Sequence, residues 1–237
     1  SRGINISKVF APEHGFRGEA DAGTYIDNTK DLKTGLPIIS LYGENKKPSK
    51  QALEGIDLVV FDIQDVGARF YTYISTLHYV MEACAENSIP VLVLDRPNPN
   101  AHYVDGPILD TAFTSFVGMH PIPIVHGMTL AEYAQMINGE YWLKDSVQCE
   151  LYWQGMKNYD HQKSYDLPIK PSPNLPNSQS IALYPSLCLF EGTDMSVGRG
   201  TSQQFQVIGS PKLDTCFYAF TPISGQGAKY PKHENKD

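Results

Sequence analysis

The sequence predicts an α/β fold: a Rossmann-like, doubly wound domain on a mostly parallel sheet, followed by the start of a smaller α+β subdomain. Three observations predict it. Short apolar, β-branched runs recur between Gly, Pro or polar breakers. A long helical stripe lies between two of those runs. The composition, 41% hydrophobic and 19% charged without a low-complexity tract, suits a packed core and not a disordered chain.

Residues 6–10, 37–41, 56–63 and 90–94 read as strands, because apolar runs of this length without alternation mark strands covered on both faces. Between the last two, residues 70–87 read as a helix. Ile74, Leu77, Met81 and Cys84 recur there at spacings of 3, 4 and 3, the stripe of a helix packed on a sheet. A second helix is expected over residues 129–141, with Thr129 as N-cap and Glu132 completing a capping box. A third is expected over 178–189. Pro- and Gly-punctuated segments at 95–127 and 168–176 read as long ordered loops. Residues 1–211 are expected to form the Rossmann-like domain, lacking its first strand, and residues 212–237 to open a truncated C-terminal one.

Composition and motifs remove several function classes. The net charge of −7, with basic residues scattered, disfavours nucleic acid and anionic membrane surfaces as partners. No apolar run has the length of a membrane span. Neither G-x-G-x-x-G nor G-x-x-x-x-G-K-[ST] occurs, so no organic cofactor is expected. Without G-x-S-x-G there is no nucleophile elbow. Cys84, Cys149, Cys188 and Cys216 show no C-x-x-C spacing and read as free, mostly buried thiols. No histidine pairing suggests a metal; Asp62, Asp65 and Asp95 are the residual oxygen-ligand alternative.

Ligands of open α/β sheets collect at the carboxyl ends of the strands. There this sequence places Glu13, His14 and Arg17 after the first run, and Asp62, Gln64, Asp65 and Arg69 after the third. Asp95, Arg96 and Asn98 follow the fourth. That set suits carboxylate chemistry on a polar substrate. A half-buried glutamic acid behind Pro12 is a candidate proton donor for a glycosidic oxygen. Tyr71, Tyr73, Asn98 and Asn174 supply sugar-type hydrogen bonds and stacking, and Arg17, Arg69, Arg96 and Arg199 suit a substrate carboxylate. Plainer readings stand beside these. For Glu13 the plainer role is to cap the turn that follows or to pair with Arg17; for Asp62 and Asp65 it is to bind backbone amides around Gly67. For Asp95, Arg96 and Asn98 it is an ion pair and an Asx turn before Pro97 and Pro99. Glu191 equally ends a helix before Gly192. On one helix Tyr71 and Tyr73 are expected to point different ways.

The segments APEHGFRGEADAG, DIQDVGARFYTY, LDRPNP, PSPNLP and LFEGTDMSVGRGT, in order over residues 9–211, resemble the motifs of the NamZ family of peptidoglycan hexosaminidases. The resemblance implies an exo-β-N-acetylmuramidase that releases N-acetylmuramic acid from non-reducing ends of peptidoglycan fragments. It implies Glu13 as the catalytic residue and Glu191 as a second candidate; Arg199, held between Gly198 and Gly200, and Thr201 are expected among the substrate contacts. Muropeptides ending in N-acetylmuramic acid are the expected partner, and a cell-wall substrate implies an extracytoplasmic location. The resemblance implies a further strand before SRGIN, which is expected to be missing from this stretch. The rival readings are a non-catalytic glycan-binding module and a metal-dependent deacetylase or amidase.

Overall fold

A computed structural model describes residues 3–17, 29–213 and 218–235. Among the described residues, six strands form two three-stranded sheets. In the first, β1 (Val9–Ala11) runs parallel to β3 (Pro37–Ser40), and the short β2 (Thr29–Lys30) pairs antiparallel on the outer edge of β3. In the second, β4 (Val59–Phe61), β5 (Val91–Leu94) and β6 (Leu151–Gln154) are all parallel. The strand β6 was not expected. Its apolar run, Leu-Tyr-Trp, is only three residues long before Gln154 and lies mostly exposed, so it does not stand out as a buried strand.

Helix α1 (Lys50–Leu53) is a single turn, capped by the Ser49 hydroxyl on the Ala52 N–H. Helix α2 (Tyr73–Glu86) joins β4 to β5, and α3 (Leu130–Gly139) joins β5 to β6. The expected stripe of α2 is the buried one: Ile74, Leu77, Met81 and Cys84 are all at most 1% exposed. They pack with Val59, Phe61, Val91 and Val93 of the sheet and with Tyr133, Ala134 and Ile137 of α3. The Thr129–Glu132 capping box of α3 forms as expected.

Two sequence expectations change. The strands are not covered on both faces: Val60 is 49% exposed and Tyr152, two strands away in the same register row, 54%. The two helices touch each other and share the opposite face. Nor do Tyr71 and Tyr73 diverge. Thr72 is the N-cap of α2, so Tyr71 precedes the helix and the two rings meet edge to face at 5.0 Å.

Helix α4 (Ser178–Leu187) starts at an Asn177 capping box with Ser180 and contains Pro185. A proline there has no N–H for the Ile181 carbonyl, four residues back. The buried Asn100 amide donates to that carbonyl instead, at 3.2 Å. The helix then tightens into a 3₁₀ turn, Cys188–Gly192. A second apolar cluster sits beneath it, made of Val66, Ala68, Tyr71, Tyr73, Leu175, Ile181, Tyr184, Val197 and Phe205. Cys84 and Cys149 are free and buried, and Cys188 is free and half-buried. Cys216 lies outside the described residues. No helix among the described residues is long and apolar enough to cross a membrane.

Candidate active site

A cavity of about 350 Å³ opens over the second cluster. Its walls come from the turn after β1 (Glu13, His14), the segment entering α2 (residues 70–73), the 172–175 loop, and the α4–3₁₀ junction. It therefore lies at the carboxyl ends of β1 and β4, where open α/β sheets hold ligands. Another hollow, of about 430 Å³, is bounded by Gly55–Asp57 and Asn87–Ile89, residues that precede β4 and β5. Its position at the amino ends of the strands, and its single-turn helix wall, give it none of the convergent side chains of the first.

Glu13 reaches the cavity because the chain turns sharply behind β1. The Gly15 N–H closes a turn on the Pro12 carbonyl at 3.0 Å, and His14 and Gly15 both take positive φ, 70° and 72°. The Tyr42 hydroxyl lies 3.4 Å from Glu13 Oε1 and the Thr72 hydroxyl 3.4 Å from Oε2, while Tyr73 donates to the Glu13 carbonyl oxygen at 3.1 Å. Thr72 occupies the N-cap of α2 but makes no capping hydrogen bond with its side chain. Its hydroxyl serves the carboxylate instead.

Opposite, Arg199 Nη2 and Glu191 Oε1 form an ion pair at 2.6 Å, and the Cys188 thiol donates to Glu191 Oε2 at 3.2 Å. Arg199 is presented between two glycines that no other residue replaces easily. Gly198 and Gly200 have φ of 77° and 82°, and a Cβ would lie 2.4 Å from the Gln203 carbonyl oxygen and 2.6 Å from that of Ile223, respectively. Phe70, Tyr71, Tyr184 and Phe205 form the apolar wall as a chain of edge-to-face rings. Burial raises the Tyr71, Tyr73 and Tyr184 phenols, with the Glu13 charge adding at Tyr73, and pushes the Cys188 thiol up to about 12. These groups are neutral hydrogen-bond donors at physiological pH.

Of the residues singled out from sequence, the cavity brings together Glu13, His14, Tyr71, Tyr73, Asn174, Glu191 and Arg199. The others face elsewhere. Arg17 grips Asp31 through Nε and Nη2, holding that carboxyl below its usual range. Asp62 pairs with Arg96 at 2.6 Å on the surface. Asp65 is buried and accepts the Gly67 N–H, with His126 Nε2 3.7 Å away. Arg69 donates to the carbonyls of Pro107 and Ile122. Asp95 accepts the Ala131 N–H in the first turn of α3, and its carboxyl is raised by burial. Asn98 is spent on the Met128 carbonyl and the Asn100 N–H, tight beneath Gly67. Thr201 hydrogen-bonds the Gly198 carbonyl and the Gln203 N–H within its own turn.

The β4 and β5 ends thus use their polar residues to hold loops, the plainer of the two readings given above. Tyr42, Phe70, Thr72, Tyr184, Cys188 and Phe205 join the site without having stood out in the sequence. The spacing of Tyr184, Cys188 and Glu191 at intervals of 4 and 3, the period of one helical face, was the available signal for three residues of this wall. Among the described residues no three His, Cys, Asp or Glu side chains gather as a metal site.

Fold and cavity together define an α/β domain with a carboxylate-bearing, tyrosine-walled ligand site. Residues 1–179 match the family described as "Exo-beta-N-acetylmuramidase NamZ, N-terminal", and residues 182–233 its C-terminal counterpart. The peptidoglycan beta-N-acetylmuramidase NamZ of Bacillus subtilis is 47% identical over 213 residues, which is 88% of this chain and 50% of that protein. Two crystal structures of DUF1343 family proteins from Bacteroides fragilis share the fold. One has a TM-score of 0.91 and 54% identity, covering 99% of this chain and 63% of the other. The second has 0.81 and 36%, covering 89% and 54%. The chain belongs to the NamZ family. It spans about half the length of the curated relative.

Proposed function

We propose that this chain carries the sugar site of an exo-acting glycoside hydrolase that releases N-acetylmuramic acid from the non-reducing end of peptidoglycan fragments. The observation that carries the reading is the cavity itself. It places Glu13, flanked by hydroxyls on both carboxylate oxygens, across an aromatic-walled space from the Glu191–Arg199 pair, in a member of the NamZ family.

Glu13 is the proton donor for the leaving glycosidic oxygen. Its neighbours Tyr42, Thr72 and Tyr73 fix its orientation, so that the proton is delivered along one direction. Glu191 is tied by an ion pair and a thiol hydrogen bond, and so serves the wall in place of the proton transfer. A cell-wall substrate implies action outside the cytoplasm, with the peptidoglycan fragments as partner and no organic cofactor needed for hydrolysis.

The test is hydrolysis by the full-length protein of a chromogenic N-acetylmuramic acid β-glycoside, beside its N-acetylglucosamine analogue, with wild type and Glu13→Gln. Release from the muramic substrate alone, lost in the variant, is expected. Folded protein that releases neither sugar overturns the hydrolase reading in favour of a glycan-binding module.

A further inference from the structure

Four arginines fall among the described residues, and three are occupied away from the cavity: Arg17 by Asp31, Arg69 by two main-chain carbonyls, Arg96 by Asp62. Arg199 alone lines it. Among the described residues its polar partner is Glu191, reached through Nη2, and its Nε is buried without a partner. Phe205 supports the guanidinium from beneath, with Cζ 5.4 Å from the ring centroid.

Glu191 is held in turn by the Cys188 thiol, which fixes the Glu191–Arg199 pair to the 3₁₀ turn. Of the four buried side-chain polar atoms that lack a partner among the described residues, two belong to this wall: Arg199 Nε and Asn174 Oδ1. Asn174 Nδ2 donates to the Gly227 carbonyl at 2.7 Å, which fixes the amide's orientation. A wall with an unpartnered guanidinium N–H and an unpartnered amide oxygen suits a polar ligand that brings an acceptor such as a carboxylate for the first and an O–H or N–H donor for the second.

We propose that Arg199 is the specificity-determining residue of this site, binding the carboxylate of an acidic N-acetyl sugar through the edge of its guanidinium left free by Glu191. The assignment rests on the sugar-site reading given above. N-acetylmuramic acid differs from N-acetylglucosamine by a lactyl ether that ends in a carboxylate, and that group is what a guanidinium can distinguish. Glu191 neutralises much of the arginine's long-range field. Arg199 therefore gives direction and discrimination more than general attraction for anions. Glu191 is a positioning residue that acts through Arg199.

Binding, measured apart from catalysis, tests this. In a Glu13→Gln background of the full-length protein, free N-acetylmuramic acid and N-acetylglucosamine are titrated by calorimetry. The same titrations are repeated with Arg199→Gln and with Arg199→Lys added. The parent is expected to prefer the muramic sugar, and Arg199→Gln to weaken that sugar alone by about 10- to 100-fold, the size of a lost charge-assisted hydrogen bond. Arg199→Lys keeps the charge but loses the planar fork, and falls between. Circular dichroism checks folding, and if the glutamine variant unfolds the lysine variant decides.

An unchanged preference, equal weakening of both sugars, or no preference in the parent overturns the assignment. Arg199-dependent binding by a wild-type protein that hydrolyses no glycoside sustains the assignment and removes the proposed reaction. Hydrolysis of the muramic glycoside undiminished by Arg199→Gln does the reverse.

Discussion

Lowering the pH from about 7.5 to about 5 should destabilise this protein through a buried histidine pair, and the size of the effect follows from the structure. His120 and His78 are 3% and 6% exposed. His120 Nδ1 meets the Tyr133 hydroxyl at 2.8 Å, His120 Nε2 meets His78 Nδ1 at 2.9 Å, and His78 Nε2 faces Glu82 Oε2 at 3.4 Å. Lys47 closes the chain on Glu82 at 2.7 Å. With both imidazoles neutral one consistent set of protons satisfies every link: Tyr133 donates to His120, His120 to His78, and His78 to the Glu82 carboxylate.

An added proton breaks this order, and burial holds His120 down to about 3 and lowers His78 as well, against the pull of Glu82. A histidine lowered in the folded state contributes stability that is complete above its unfolded value of 6.5. That stability is lost as pH falls toward the folded value. At about pH 5 the unfolded chain binds the proton and the folded His120 does not, which costs about 2 kcal/mol for His120 alone. The lowered carboxylates Asp31 and Glu82 begin to titrate only below their ordinary values, 3.8 and 4.5, so they contribute little in this window. The assay is urea unfolding of wild type and His120→Gln at both pH values. The variant should be less stable at neutral pH and should lose about 2 kcal/mol less than wild type on acidification. Identical pH dependence in the two proteins would refute the reasoning.

Thr72→Val should lower kcat by about 10-fold while changing stability by less than about 0.5 kcal/mol, because its hydroxyl orients Glu13 and caps nothing. Steady-state kinetics with the muramic glycoside and thermal unfolding read both effects, and a stability loss near 1 kcal/mol would mark the hydroxyl as a cap after all. Arg96→Ala should leave hydrolysis unchanged and alter stability by less than about 1 kcal/mol, since its partner Asp62 is a surface residue away from the cavity. A large loss of activity on Arg96→Ala would restore the strand-end reading drawn from sequence.

The fold was legible because its signals are local. Helical spacing marked Ile74, Leu77, Met81 and Cys84, and a four-residue box marked the start of α3. β6 escaped because three of its four residues are exposed and its place is set by pairing with β5, a contact between residues about 60 apart in sequence. The site was half legible for a related reason. Glu13 and Glu191 stand in unusual motifs, but sequence says nothing about which neighbours have already consumed a polar side chain. Asp95 and Asn98 look as chemical as Glu13 until the Ala131 N–H and the Met128 carbonyl are seen to occupy them. Tyr184 and Cys188 share one helical face with Glu191, but nothing in the sequence says that this face turns toward the cavity.

The central claim is that Glu13 delivers a proton to a glycosidic oxygen beside a terminal N-acetylmuramic acid. The most direct measurement is mass spectrometry of the products from a defined disaccharide carrying N-acetylmuramic acid at its non-reducing end, incubated with wild-type and Glu13→Gln full-length protein. The account expects free N-acetylmuramic acid and the second sugar in equal amounts from wild type, and intact disaccharide from the variant. Equal cleavage by Glu13→Gln, or loss of an acetyl group with the glycosidic bond intact, would contradict it.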